Sequence, residues 1–312
     1  VALLFPVLAS LAALLAIRLP ALFLPLAPWT GWLLALVMFG MGATLEPADF
    51  RRVLLRPAPV LAGLALHYGI MPLAAWAIAH ALRMPPQLAA GMILTGSVAS
   101  GTASTVMVFV AGADVALSVT IGALSTLAGI VMTPLLAWLY IDTGVAVDVL
   151  GLLRSILIIV ALPVGLGLVA NRVLPESWRR PLPVLSMLCV VLIIAVVVAA
   201  SRAKLATLGP AIVLGVMLHN ATGLLGGYWG GRWLGFDRAT CRTLAFEVGM
   251  QNSGLAATLA RTYFGPVAAL PGAVFSIWHN LSGSVLAAAW ARSSLHRESL
   301  SVEQQRSNSP IA

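Results

Sequence analysis

Charge is what this chain has least of. Asp, Glu, Lys and Arg together make up 9% of its 312 residues, where a soluble globular domain carries about a quarter. A water-facing surface of ordinary composition is therefore excluded. Cysteine is nearly absent. Cys189 lies in an apolar run and Cys241 at the edge of one, which excludes a disulfide framework and a thiolate metal centre. There is no His-Glu-x-x-His, nucleophile elbow or phosphate-binding glycine loop, which argues against direct use of ATP. Acidic residues number 10 against 18 basic ones, a net charge of +8. What is abundant is apolar side chains, 60% of the total, the composition of a polytopic membrane protein.

The few charges divide the chain into uncharged stretches at 1–17, 19–45, 57–82, 84–113, 115–141, 155–171, 181–201, 205–231 and 262–291, with a tenth, 243–260, holding one charge, Glu247. A spanning helix needs about 20 mostly apolar residues, so each stretch accommodates one and ten spans are expected. Residues 1–17 read as the first span and not as a leader, because no basic flank precedes them. Ten spans leave both termini on one side. That side receives Arg51, Arg52, Arg56, Arg172, Arg179, Arg180, Arg232, Arg238, Arg242, Arg292, Arg297 and Arg306, and the other receives Arg18, Arg83, Arg154, Arg202, Lys204 and Arg261. The bias places both termini in the cytoplasm and makes the basic excess a matter of topology, with no nucleic acid as partner. Trp29, Trp32, Trp138, Trp178, Trp229, Trp233 and Trp290 lie near span ends, as an interfacial belt requires. The polar segment 293–312 reads as a disordered cytoplasmic tail.

Shifting the sequence by 153 positions sets Gly96, Ser100, Gly101, Ala103, Thr105, Gly112, Ala116 and Leu117 against Gly249, Ser253, Gly254, Ala256, Thr258, Gly265, Ala269 and Leu270. Chance would give roughly two such identities in this composition. The repeat divides the chain into residues 1–145 (spans one to five), residues 146–292 (spans six to ten) and the tail. An odd number of spans per half forces the copies into opposite orientations. Inverted repeats of this kind are typical of secondary transporters, with the solute site near the midplane.

The fourth and ninth spans suit plain helices least. Gly96-Ser97-Val98-Ala99-Ser100-Gly101-Thr102 and Glu247-Val248-Gly249-Met250-Gln251-Asn252-Ser253-Gly254 place small and polar residues at mid-membrane. Such glycines can simply allow close helix packing. They can also interrupt a helix, whose broken ends then offer carbonyls to cations and N–H groups to anions. Glu247 favours the second reading for the ninth span. It is the only acid inside an expected span, and a mid-bilayer carboxylate costs about 2.5–3.5 kcal/mol on insertion scales. The duller alternative is that it pairs with Arg242. With Gln251 and Asn252 it makes an oxygen-rich patch suited to a hard cation rather than to zinc or copper.

At this point the chain resembles the bile acid:sodium symporter family. The likeness rests on Glu247-Val248-Gly249-Met250-Gln251-Asn252-Ser253-Gly254-Leu255-Ala256-Ala257, on Phe275-Ser276-Ile277-Trp278-His279-Asn280-Leu281-Ser282-Gly283-Ser284, on Phe39-Gly40-Met41-Gly42-Ala43-Thr44-Leu45 and on Gly101-Thr102-Ala103-Ser104. It runs from about Trp32 to Trp290. The resemblance implies an all-α membrane protein of ten transmembrane helices in two inverted five-helix repeats. Broken fourth and ninth helices cross in a core domain beside a panel domain. It implies a sodium symporter of a small organic anion, such as a bile acid or a pantothenate-type carboxylate, in a bacterial inner membrane. Two sodium ions would be bound, the first at Ser104, Thr105, Ser118, Gly122 and Glu247, the second at His67, Glu247, Val248, Met250 and Gln251, with Val248 and Met250 giving backbone oxygens. The anion would lie beside Thr102, Asn252, His279 and Asn280.

Other readings remain. A cation/proton antiporter or proton-coupled carrier using Glu247 would be expected to hold a second buried acid, and an intramembrane enzyme using Glu247 and His279 would need a nucleophile or metal triad. His279 and Asn280 could equally hydrogen-bond between helices. His219-Asn220 reads as structural glue, and Gly226, Gly227, Gly230 and Gly231 as close-packing positions.

Three positions depart from the family's bacterial pattern. Thr105 replaces an asparagine but keeps an oxygen, Gly122 replaces a threonine and offers none, and His67 replaces a glutamine. Imidazole nitrogen is a poor sodium ligand, and an imidazole titrates near neutrality. One hypothesis is that His67 lets a proton stand in for one sodium ion. Sodium-driven transport that stays flat between about pH 5 and 8 excludes it.

Overall fold

The computed structural model describes residues 4–45, 51, 55–141 and 145–307. The described residues form helices: α1 (Leu4–Arg18), α2 (Thr30–Gly42), α3 (Pro57–Ala81), α4 (Pro86–Ser97), α5 (Ser104–Val110), α6 (Val115–Tyr140), α7 (Val149–Ile156), α8 (Leu162–Val173), α9 (Glu176–Arg179), α10 (Leu182–Trp233), α11 (Arg238–Gly249), α12 (Ser253–Phe264) and α13 (Leu270–Ser307). A π-helical turn, Leu157–Ala161, joins α7 to α8 just before Pro163. That is where a residue without an N–H disrupts the regular ladder. Asp side chains start several helices. Asp114 accepts from Leu117 N, Asp148 from Gly151 N, and Asp237 from the N–H and hydroxyl of Thr240. The Thr240 N–H holds the Asp237 carboxyl below its usual range.

Polarity is inverted relative to a soluble protein. Leu14, Trp32, Phe109, Leu150 and Trp233 are exposed, whereas His67, Ser118, Glu247 and Gln251 are fully buried. Only a lipid environment makes that distribution favourable. Six described segments are long and apolar enough to cross a bilayer: Leu24–Gly42, Pro57–Ala81, Val115–Tyr140, Val149–Val173, Glu176–Ala203 and Thr207–Trp233. The fifth of these starts at α9 and runs into α10, and α10 continues unbroken through the sixth, where composition divides the chain at Arg202 and Lys204. Of the other expected spans, the first is the shorter α1. The last belongs to α13, which continues to Ser307. The polar stretch 293–307, expected to be disordered, is thus helical in its backbone.

The expected fourth and ninth spans are interrupted in the structure. α4 has 12 residues and α5 only 7, while α11 and α12 have 12 each. A 12-residue helix reaches about 18 Å, well short of a hydrocarbon core of about 30 Å, so each pair must work end to end. Between the halves of each, the two segments meet as a short antiparallel pair. Gly101 N–H donates to Met250 O (3.0 Å), Asn252 N–H donates to Ala99 O (2.8 Å), and Ser100 faces Gln251 in an isolated bridge. Each break therefore satisfies the other's backbone where no water can. α10 packs on α11, α13, α1, α3 and α2, and α12 packs on α4. The main core is built from Leu34, Met38, Ile93, Val98, Ile193, Val197, Ile212, Leu255, Leu259 and Phe275.

At Gly101 the facing break leaves no room for a side chain. A Cβ there would lie 2.7 Å from the Gln251 carbonyl oxygen, whereas a Cβ on Gly165 would meet nothing within 4 Å. Gly101→Ala is expected to destabilise the protein by about 1–3 kcal/mol and Gly165→Ala to leave it unchanged or slightly more stable. Thermal unfolding in detergent checks both.

Candidate functional site

Glu247 sits in the last turn of α11 and is fully buried at the meeting of the two breaks. Its Oε1 accepts from Ser104 Oγ (2.6 Å) and Ser118 Oγ (2.5 Å), and its Oε2 accepts from Ser100 Oγ (2.7 Å). These serines come from three places: the fourth-span break, the first turn of α5, and α6. Thr105 Oγ1 lies 3.0 Å from Ser118 Oγ. Ser118's hydrogen is directed at the carboxylate, so Thr105 donates to Ser118. One turn further along α6, a Cβ built on Gly122 would have a single neighbour within 4 Å, Glu247 Oε2 at 3.8 Å. One turn beyond that, Ser125 Oγ accepts from Ser100 N–H (2.8 Å). Helical spacing thus turns Ser118, Gly122 and Ser125 to one side, toward the crossing.

Pairing of Glu247 with Arg242 does not occur. The Arg242 guanidinium donates to Ala111 O (3.1 Å) and lies over the Trp290 ring, 5.5 Å from its centroid. Among the described residues, ion pairs join Arg56 to Asp114 and Arg180 to Glu176.

A hydrogen count shows what the site lacks. Ser104 Oγ reaches both Glu247 Oε1 and Gly101 O (2.7 Å), and each of these has a second donor, Ser118 Oγ and Ser104 N–H (3.1 Å) respectively. The His67 ring lies between two carbonyls, with Nδ1 3.0 Å from Glu247 O and Nε2 2.9 Å from Val98 O. A neutral imidazole has one N–H for these two. Gln251 spends its amide N–H on Val248 O (3.0 Å), and its Oε1 is buried with no partner. Acceptors therefore outnumber hydrogens in two places beside the carboxylate, at the His67 ring and at Gln251 Oε1. The Val248 and Met250 carbonyls each accept one bond, from Gln251 and Gly101 respectively, and keep a second lone pair.

The residues expected near the anion are only partly brought together. Asn252 caps α12, its Oδ1 accepting from Leu255 N–H (3.2 Å) and its Nδ2 lying 3.7 Å from Met38 Sδ. α13 runs alongside the crossing, with Ser276 Oγ donating to Ser253 Oγ (2.6 Å) and Gly283 packed against the Met250 side chain. His279 and Asn280 lie between these contacts. Asn280 donates to Ser276 O (2.8 Å), while His279 stacks near Phe275 with Nδ1 unpartnered. Thr102 is exposed in the turn before α5, and no hydrogen bond joins it to the other three. The glue residues behave as such. His219 Nε2 lies 2.9 Å from Met71 O, and Asn220 donates to Gly249 O (2.8 Å) while accepting from Ser282 (2.6 Å).

Sequence reasoning missed Ser100 and Ser125. Ser100 stood in the small polar run 96–102 and as a repeat identity, whereas nothing in the sequence marked Ser125.

The profile of the Sodium Bile acid symporter family matches residues 32–208. The chain is 40% identical over 283 residues to the uncharacterized sodium-dependent transporter YocS of Bacillus subtilis, covering 90% of this chain and 88% of that protein. It is 40% identical over 294 residues to the probable sodium/metabolite cotransporter BASS1 of Arabidopsis thaliana, covering 93% and 73%. It is 31% identical over 240 residues to the ileal sodium/bile acid cotransporter of Cricetulus griseus, covering 75% and 69%.

The serine contacts are unequal in number per oxygen, which gives a stability ordering. Ser100→Ala strips Oε2 of its one hydroxyl and is expected to cost about 1–3 kcal/mol in sodium-free buffer. Ser104→Ala and Ser118→Ala each leave Oε1 one donor and should cost less. Chemical denaturation of the three variants checks the order.

Proposed function

The chain belongs to the sodium bile acid symporter family, and from that premise we propose that it imports a small organic anion, its substrate partner, using the sodium gradient. It is a multi-pass membrane transporter and not an enzyme. In this reading the bilayer is the bacterial inner membrane, crossed ten times with both termini cytoplasmic. The two inverted repeats comprise residues 1–145 and 146–292, and the panel rocks against the core. The offset of 153 supports the repeat, because it relates Ala99 to Asn252, the two residues joined by a backbone hydrogen bond at the crossing.

The observation that carries the proposal is the surplus of oxygen acceptors around Glu247. A sodium ion held by Glu247, Ser104, Thr105 and Ser118, with Ser100 as a further ligand, supplies the missing positive charge. The open volume beside Gly122 lies against the same carboxylate. A second sodium ion would draw on the Val248 and Met250 carbonyls and on Gln251 Oε1. His67 would act there by holding the ends of α4 and α11 together. The anion's carboxylate would be received near Asn252, with Thr102, His279 and Asn280 completing the site as the domains move. Coupling is then electrostatic. The cation lowers the cost of an ionised Glu247 and fixes the backbone crossing that the anion needs. An antiporter is not favoured, because among the described residues Glu247 is the one acid that is fully buried.

Purified protein should unfold at a higher temperature in sodium than in potassium. The stabilisation approaches about 2.7 kcal/mol when sodium is roughly a hundredfold above its dissociation constant. Glu247→Ala should abolish the difference, and Gly122→Thr, which adds an oxygen facing Oε2, should lower the sodium concentration needed. Sodium stabilisation that survives Glu247→Ala contradicts the assignment.

A further inference from the structure

Arg261 lies in the last turn of α12, half-buried, at the end remote from the crossing. Its Nη1 donates to Ala27 O (2.5 Å) and to Thr30 Oγ1 (2.9 Å). Both acceptors are neutral, and no carboxylate among the described residues forms an ion pair with it. A guanidinium carries five N–H donors in a planar fork, so most of this group's capacity is unspent. Arg261 lines an open cleft of about 480 Å³ together with Pro28, Thr30, Gly31, Thr262 and Pro266. The cleft is shallow and open on one side, so it can receive the head of a small ligand and does not enclose it. The other polar groups of the cleft are already committed, since Thr30 donates to Ala27 O (3.1 Å) and Thr262 to Thr258 O (2.9 Å). Free donors therefore come from one cation, and the remaining walls are proline, glycine and alanine.

We propose that this cleft is a second anion site, one that binds the carboxylate head of a small monoanionic organic acid on Arg261. Arg261 keeps N–H donors unspent toward the open side of the cleft, and a carboxylate matches the fork in two parallel bonds. One cation amid apolar walls selects a single negative charge over a polyanion. Arg261 is nine residues beyond Asn252 on the same helix, about 14 Å along its axis, so the cleft is separate from the sodium and anion positions at the crossing. The inference rests on the transporter reading only for the role of the bound acid as cargo waiting to cross. Binding itself needs neither sodium nor Glu247.

The test uses the full chain in detergent, in potassium buffer without sodium. Potassium pyruvate and potassium pantothenate are titrated by calorimetry, with methyl pyruvate as the uncharged control. Saturable binding of at least one carboxylate is expected, with none of the ester. Glu247→Ala should keep that affinity, Arg261→Lys, which keeps the charge but loses the fork, should weaken it partly, and Arg261→Gln should weaken it at least about tenfold, as for a lost charge-assisted contact. Thr262→Glu leaves the Arg261 clamp in place but puts a rival carboxylate in the cleft, and should abolish binding even if Arg261→Gln proves unstable. No sodium-free binding, or binding unmoved by both Arg261→Gln and Thr262→Glu, overturns the proposal. Loss through Glu247→Ala would likewise overturn it by assigning the anion to the crossing. The sodium reading fails separately, through stabilisation that ignores Glu247.

Discussion

Two helices that stop in mid-membrane must do something with their bare ends, and here each uses the other. The bonds from Gly101 to Met250 and from Asn252 to Ala99 join the breaks into one unit. The same pairing draws Glu247, Ser100, Ser104 and Gln251 into contact. Neither break is viable alone in hydrocarbon. The site is therefore a by-product of the way the backbone is satisfied, and its geometry cannot drift without opening the crossing.

The environment of Glu247 differs from that of a buried structural ion pair. A carboxylate closed by arginine would be electrically complete and inert. Three hydroxyls instead hold this one in a place short of hydrogens and short of positive charge. The unpartnered Gln251 oxygen and the His67 ring held between two carbonyls point to the same deficit. A mobile cation can enter and leave such a site, whereas a fixed guanidinium cannot. That distinction separates a carrier from a scaffold.

Much of this was legible in the sequence, because a membrane penalises polarity so strongly. Glu247 stood out as a charge in an apolar run, and the Gly-Ser-Asn clusters marked both breaks. His219, Asn220 and the glycines of α10 were correctly read as packing, with Gly227 and Gly231 lying against Leu244 and Cys241. What stayed hidden depended on facing. Ser100 and Ser125 are small hydroxyl residues like many others in the chain, and only the crossing shows that one reaches the carboxylate while the other holds the first in place. The family resemblance placed His67 at the second sodium site. Its position between two carbonyls follows from the approach of α3 to both helix ends, which no local pattern encodes. Arg242, the obvious partner by proximity in sequence, turns instead to Trp290.

The central claim is that a monovalent cation completes the oxygen cluster at Glu247. Anomalous diffraction from crystals in which thallium(I) replaces sodium tests it most directly. The account predicts a peak in contact with the Glu247 carboxylate and the Ser104 and Ser118 hydroxyls, absent from crystals of Glu247→Ala. A crossing free of any such peak, with thallium bound elsewhere, would contradict it.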